Sequence, residues 1–94
     1  MVPDWLEPHL EVWRVLLADH KNFVEAQYFK YQPLVHRDRY RNYDLVVREL
    51  AKASGCEEGK VRGALLSLVE HGVMLYKHSV GIRWGVKNPP TYGT

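Results

Sequence analysis

The sequence predicts a mainly α-helical domain with one small β-hairpin, an α+β fold, and three observations carry that expectation. Apolar residues recur at helical spacing in three stretches, around 6–17, 43–51 and 61–69. Gly55 and Gly72 each stand directly after such a stretch, where a helix end favours a residue free to take positive φ. Two short runs, Val73-Met74-Leu75-Tyr76 and Ile82-Arg83-Trp84-Gly85-Val86, flank a Ser79-Val80-Gly81 turn and read as a hairpin.

The first helix is expected from Leu6 or Pro8 to Asp19, with Asp4 as a candidate cap and Pro8 in the first turn. Leu6, Leu10, Trp13 and Leu17 share one face of it. Asn22 to Gln32 reads as a second short helix or a continuation of the first; Asn22 followed by Glu25 has the form of a capping box, which argues for a restart, and Pro33 ends the element. Aromatic residues crowd this part of the chain. Leu10, Trp13 and Leu17 read as cover for the core, yet so small a domain has limited room for aromatics. The surplus points to a second copy, with Trp5, Trp13, Phe23, Tyr28 and Phe29 as candidate dimer contacts.

Residues 36–43 hold the densest basic cluster, with His36, Arg37, Arg39, Tyr40 and Arg41 interleaved. Arginines beside aromatics suit phosphate contact and stacking; a solvated loop partly neutralised by Asp38 is the plainer alternative. The next helix is expected from Asn42 or Asp44 to Ser54, and another from about Glu57 to Gly72. In the hairpin, Gly81 at positive φ would set Tyr76 opposite Trp84, Met74 opposite Val86, and Lys77 beside Arg83. Residues 88–94 are expected to be a flexible tail.

From Glu49 to Lys87 the chain resembles a winged helix-turn-helix domain. The matching residues are Glu49-Leu50-Ala51, Gly55, Lys60-Val61, Leu65, Leu68 and Gly72-Val73, without a gap. The resemblance implies one domain over 1–94. Residues 1–35 would supply N-terminal helices for dimerisation, 42–87 the helix-turn-helix and wing. It also implies a role: such domains bind DNA, RNA or other proteins. Stand-alone domains of this size are similar to those of archaea, phages, plasmids and archaeal viruses. In the family the helix after the turn usually lies in the major groove, where Lys60, Arg62 and Ser67 would face DNA and Arg62 would be the best guanine reader. Lys77, His78, Arg83 and Lys87 would charge the wing. Glu57, Glu58, Gly63 and Leu66 depart from that pattern. They resemble winged helices of replication-initiation and primosome proteins, some of which use the fold for self-association, and Leu66 marks a candidate protein contact.

Charge agrees with the DNA expectation. The 94 residues carry a net +2, but residues 1–35 hold three Lys/Arg against five Asp/Glu, and residues 36–94 hold ten against six. The expected function is therefore double-stranded DNA binding by a homodimeric transcriptional regulator. The alternative is a protein-interaction or dimerisation module in a replication or other nucleoprotein assembly. Cys56 is the single cysteine, so no internal disulfide forms. No apolar run approaches the ~18 residues of a membrane span, and the N-terminus lacks a basic leader, which points to an intracellular protein, in the host cell if it is viral. Five histidines show no i, i+4 pair and no cysteine pair joins them, so no metal, cofactor or catalytic residue is expected.

Overall fold

The computed structural model describes residues 1–26 and 30–93 and has an α+β architecture of three helices and a two-stranded antiparallel hairpin. A 3-10 turn over Glu7–His9 leads into α1 (Leu10–Glu25); α2 (Tyr43–Ser54) and α3 (Glu58–Glu70) follow, then β1 (Met74–Lys77) and β2 (Gly81–Trp84).

α1 corrects the expected break at Asp19. No glycine or proline interrupts residues 10–25, and the apolar face runs on through Leu16 to Phe23. Asn22 sits in the last turn, its carbonyl accepting from Ala26 N at 3.0 Å, so it caps nothing at an N-terminus. The restart expected over 22–32 otherwise falls largely on residues 27–29, outside the described residues.

α2 starts where its cap demands. The Asn42 side chain accepts from Leu45 N at 2.9 Å, and Gly55 closes the helix at φ 71°. α3 ends in a Schellman motif: Val73 N donates to Leu68 O at 2.9 Å and Gly72 N to Val69 O at 3.1 Å, with Gly72 at φ 75°.

The hairpin pairs Met74 with Trp84, Leu75 with Arg83, Tyr76 with Ile82 and Lys77 with Gly81. This is two residues away from the expected register. Ser79 takes φ 65° inside a His78-Ser79-Val80 loop, so the turn closes one residue earlier. A shift of two preserves the alternation. Met74, Ile82 and Trp84 face the core, and Leu75 lies outward against Arg83 instead of Lys77.

One core joins every element. Trp13 and Trp84 meet edge to face at 5.9 Å, with Leu6, Leu16, Leu50 and Leu65 buried around them. Trp13 and Phe23, expected at a dimer contact, are buried within this single chain and unavailable to a second one. Tyr28 and Phe29 lie outside the described residues. Trp5 is half-buried and stacks on His71 at 3.9 Å. Within the expected tail, Tyr92 meets the core: a buried indole N–H seeks a partner, and Trp13 Nε1 donates to Tyr92 O at 2.8 Å.

A buried carboxylate organises the chain between α1 and α2. Asp19, 3% exposed, accepts from Tyr31 Oη at 2.7 Å, from Leu34 N at 3.0 Å and from Val35 N at 3.4 Å. Burial, then the Asp19 hydrogen bond, raises the Tyr31 phenol above its ordinary range. Arg41 holds the same segment by its carbonyls, donating to those of Pro33 and Leu34 at 3.0 Å each.

Candidate nucleic-acid interface

The basic loop and the hairpin, joined through residues more than forty apart in sequence, form one surface. Arg41 and Ile82 exchange both backbone hydrogen bonds at 2.9 Å, and Trp84 N donates to His36 O at 2.8 Å. The loop thereby runs along β2 as a third-strand position opposite β1. Gly81 makes the approach feasible. A Cβ on it would run into the Arg41 carbonyl, and its φ of 142° is one that residues with side chains rarely adopt.

Side-chain contacts reinforce the joint. Arg83 donates to Arg37 O at 3.0 Å and to Trp84 O at 3.1 Å, and its guanidinium lies 5.2 Å from the Tyr40 ring centroid. Arg37 donates to Lys87 O at 3.4 Å. Arg37, Arg83 and Lys87 line a cleft of about 410 Å³ with Asp38 between loop and strand. Arg39 and Lys87 are exposed near this cleft, and Lys77 and His78 are exposed at the turn end of the hairpin. Among the described residues, Arg39, Lys77 and Lys87 form no ion pair. The surface therefore offers unneutralised positive charge at both ends.

Other expected DNA contacts are engaged elsewhere. Arg41 is largely buried, its guanidinium held by Glu49 at 2.8 Å and by the two loop carbonyls. It builds the loop instead of facing outward, because a desolvated arginine needs its donors filled. Ser67 turns inward, its hydroxyl 3.2 Å from His9 Nε2. Lys60 pairs with Glu11 at 2.9 Å. Arg62 pairs with Asp44 at 3.4 Å and Glu58 at 3.8 Å and lies over the Tyr43 ring at 5.6 Å. The acids that hold them, and Asp19, were the site-shaping residues sequence reasoning missed. For Asp19 a signal existed: a carboxylate set between Leu16 and Phe23 on an otherwise apolar helical face.

The N-terminal segment covers one flank of α3. His9 lies against Gly63 and Ser67, Glu11 reaches Lys60, and Trp5 stacks on His71. His9 Nδ1 is buried and without a hydrogen-bond partner among the described residues. The Ser67–His9 contact thus lacks the orienting group a serine nucleophile needs. Among the described residues no group of three His, Cys, Asp or Glu could hold a metal ion, and no helix is long and apolar enough to cross a membrane.

Burial lowers the imidazoles of His9, His20 and His36 below their ordinary 6.5. Nearby cations add to it: Lys60 for His9, Arg37 for His20, and Arg39 with Arg41 for His36. Below pH 6.5 the unfolded chain therefore binds more protons than the folded one. The stability these groups contribute is complete above 6.5 and is lost as pH falls through the lowered folded values. Thermal unfolding should show a lower Tm at about pH 5 than at about pH 7.5. A Tm that is flat or higher at the acid end would contradict it.

Comparison with known proteins yields no match, whether to protein-family models, to curated proteins or to solved structures.

Proposed function

We propose that the chain is a winged helix-turn-helix protein that binds double-stranded DNA and serves in transcriptional regulation. The supporting observation is the loop stitched onto β2, which merges the basic loop and the basic hairpin into one exposed positive surface. The bridge at Arg41 also supports the fold assignment. It supplies a strand position between α1 and α2, so the order is helix, strand, helix, helix, hairpin. α2 and α3 meet across the Gly55-Cys56-Glu57 turn. Arg37, Arg39, Lys77, His78 and Lys87 would hold the sugar-phosphate backbone, with Tyr40 and Arg83 supporting them. Such contacts carry affinity and position without sequence information. Pairing of two chains belongs to the same proposal, with Trp5 as its remaining candidate contact among the described residues.

The triple variant Arg39→Ala/Lys77→Ala/Lys87→Ala tests it. Its affinity should fall about tenfold or more at low salt, and equally on every duplex sequence, while its circular dichroism stays that of the parent. Unchanged affinity would remove this surface from DNA contact.

One observation favours a second reading. The cations of α3 are neutralised by the chain's own acids, and its outward Leu66 is 59% exposed. A protein-interaction module in a nucleoprotein assembly would use such a face. Failure of the chain to bind any duplex favours it.

A further inference from the structure

Alternation along the hairpin gives the sheet two unlike faces. Met74, Ile82 and Trp84 point inward and share the core with Leu65 and Leu68 of α3. Tyr76, on the same side, lines a groove with Leu66. Leu75, Lys77 and Arg83 point the other way. The basic loop obeys the same parity. Arg41 stands beside Ile82 and turns its guanidinium to Glu49 of α2, whereas Tyr40 lies against the outward Arg83, 5.2 Å from ring centroid to guanidinium. The cleft lined by Arg37, Arg83 and Lys87 includes this outward arginine and so belongs to the outer face.

Charge separates with the faces. On the outer face Lys77 and Lys87 form no ion pair among the described residues, and of the residues lining the cleft only Asp38 is acidic. α3, behind the inner face, has the opposite balance. Its Lys60 is paired with Glu11 and its Arg62 with Asp44 and Glu58. Glu57 and Glu70, at its two ends, are exposed and form no ion pair among the described residues. His9 and Trp5 cover its Gly63, Ser67 and His71 flank. A phosphate chain is therefore attracted to the outer face and repelled from α3. DNA is stiff over roughly 150 base pairs, so a duplex resting on one side of the sheet does not bend round to the other. We infer that duplex DNA lies on the outer face of the sheet, its backbone against Lys77, Arg83 and Lys87, with α3 on the far side and outside both grooves. This rests on the duplex-binding proposal above and adds where the duplex lies.

The experiment blocks each side in turn and measures the affinity of the full chain for a short mixed-sequence duplex. Salt is held at about 0.1 M, where charges more than about 10 Å apart are largely screened. In a Cys56→Ser background, which leaves no other cysteine, Leu75→Cys marks the outer face and Leu66→Cys marks α3. Each is coupled to a bulky uncharged maleimide. Both leucines are exposed, 38% and 59%, so neither change empties the core, and circular dichroism checks the fold. The adduct at position 75 should weaken binding about tenfold or more, and the adduct at position 66 by less than about twofold. Leu75→Glu and Leu66→Glu repeat the comparison with Cys56 intact. The first should weaken binding about fivefold, because it sets a carboxylate beside the phosphates, and the second should leave it as it was.

Loss of binding from the position 66 adduct or from Leu66→Glu puts the duplex against α3 and overturns the inference. Full affinity with the position 75 adduct or with Leu75→Glu also overturns it, while duplex binding stands. A parent chain that binds no duplex fails the underlying proposal itself, a result distinct from both.

Discussion

Gly81→Ala is expected to destabilise the protein by about 3 kcal/mol and to part the basic loop from the hairpin. The new methyl would collide with the Arg41 carbonyl, which is backbone and cannot swing aside as a side-chain tip would. Relief requires the loop to retreat, and the paired Arg41–Ile82 hydrogen bonds are lost with it. Two buried hydrogen bonds and strain at φ 142° bring the total to that order. Denaturant unfolding measures the loss, and hydrogen exchange at the Arg41 and Ile82 amides locates it. A change below about 0.5 kcal/mol, with both amides still protected, would mean that the loop and hairpin are not joined through this contact.

Asp19→Ala should be more damaging, about 3–4 kcal/mol, although Asp19 touches no part of the basic surface. Its carboxylate receives two backbone amides and a phenol at a nearly inaccessible position. Alanine would leave Leu34 N, Val35 N and Tyr31 Oη without that acceptor and open a small void beneath Leu16 and Phe23. Asp19→Asn keeps the volume and one acceptor oxygen, so about half that loss is expected. The consequence should reach the basic surface, because Asp19 holds the amides and Arg41 the carbonyls of the same segment, Pro33 to Val35. Equal stability of Asp19→Ala and the parent, by denaturant unfolding, would show that the segment is held by other means.

Which features were legible in the sequence follows from the range of the forces behind them. α2, the turn and α3 were legible because their limits are local: Asn42 caps, Gly55 and Gly72 take positive φ, and Val61, Leu65 and Leu68 mark one buried face. The length of α1 was not, because Asn22 and Glu25 have the form of a capping box whichever way the chain continues. The hairpin register slipped by two because Ser79 adopts a conformation that composition assigns to glycine. Face alternation survived, since it depends on parity alone.

The candidate site divides the same way. Arg39, Lys77, His78 and Lys87 are exposed, as charge alone would place them. The fates of Arg41, Lys60 and Arg62 depend on Glu49, Glu11 and Asp44, which lie 8, 49 and 18 residues away. No local pattern announces such pairings. The burial of Phe23 in one chain is likewise decided by α1 running on across the core, which the expected break at Asp19 concealed, whereas Trp13 lies before that break on the face expected to cover the core.

The salt dependence of duplex binding tests most directly whether the loop and hairpin act as one phosphate-contacting surface. If each chain neutralises roughly three to four phosphates, log affinity against log salt between about 50 and 200 mM should fall with a slope of about −3 to −4 per chain. The slope should be the same for duplexes of different sequence, because backbone contacts release counterions regardless of the bases. A slope near zero, or no binding at the lowest salt, would contradict DNA contact by this surface.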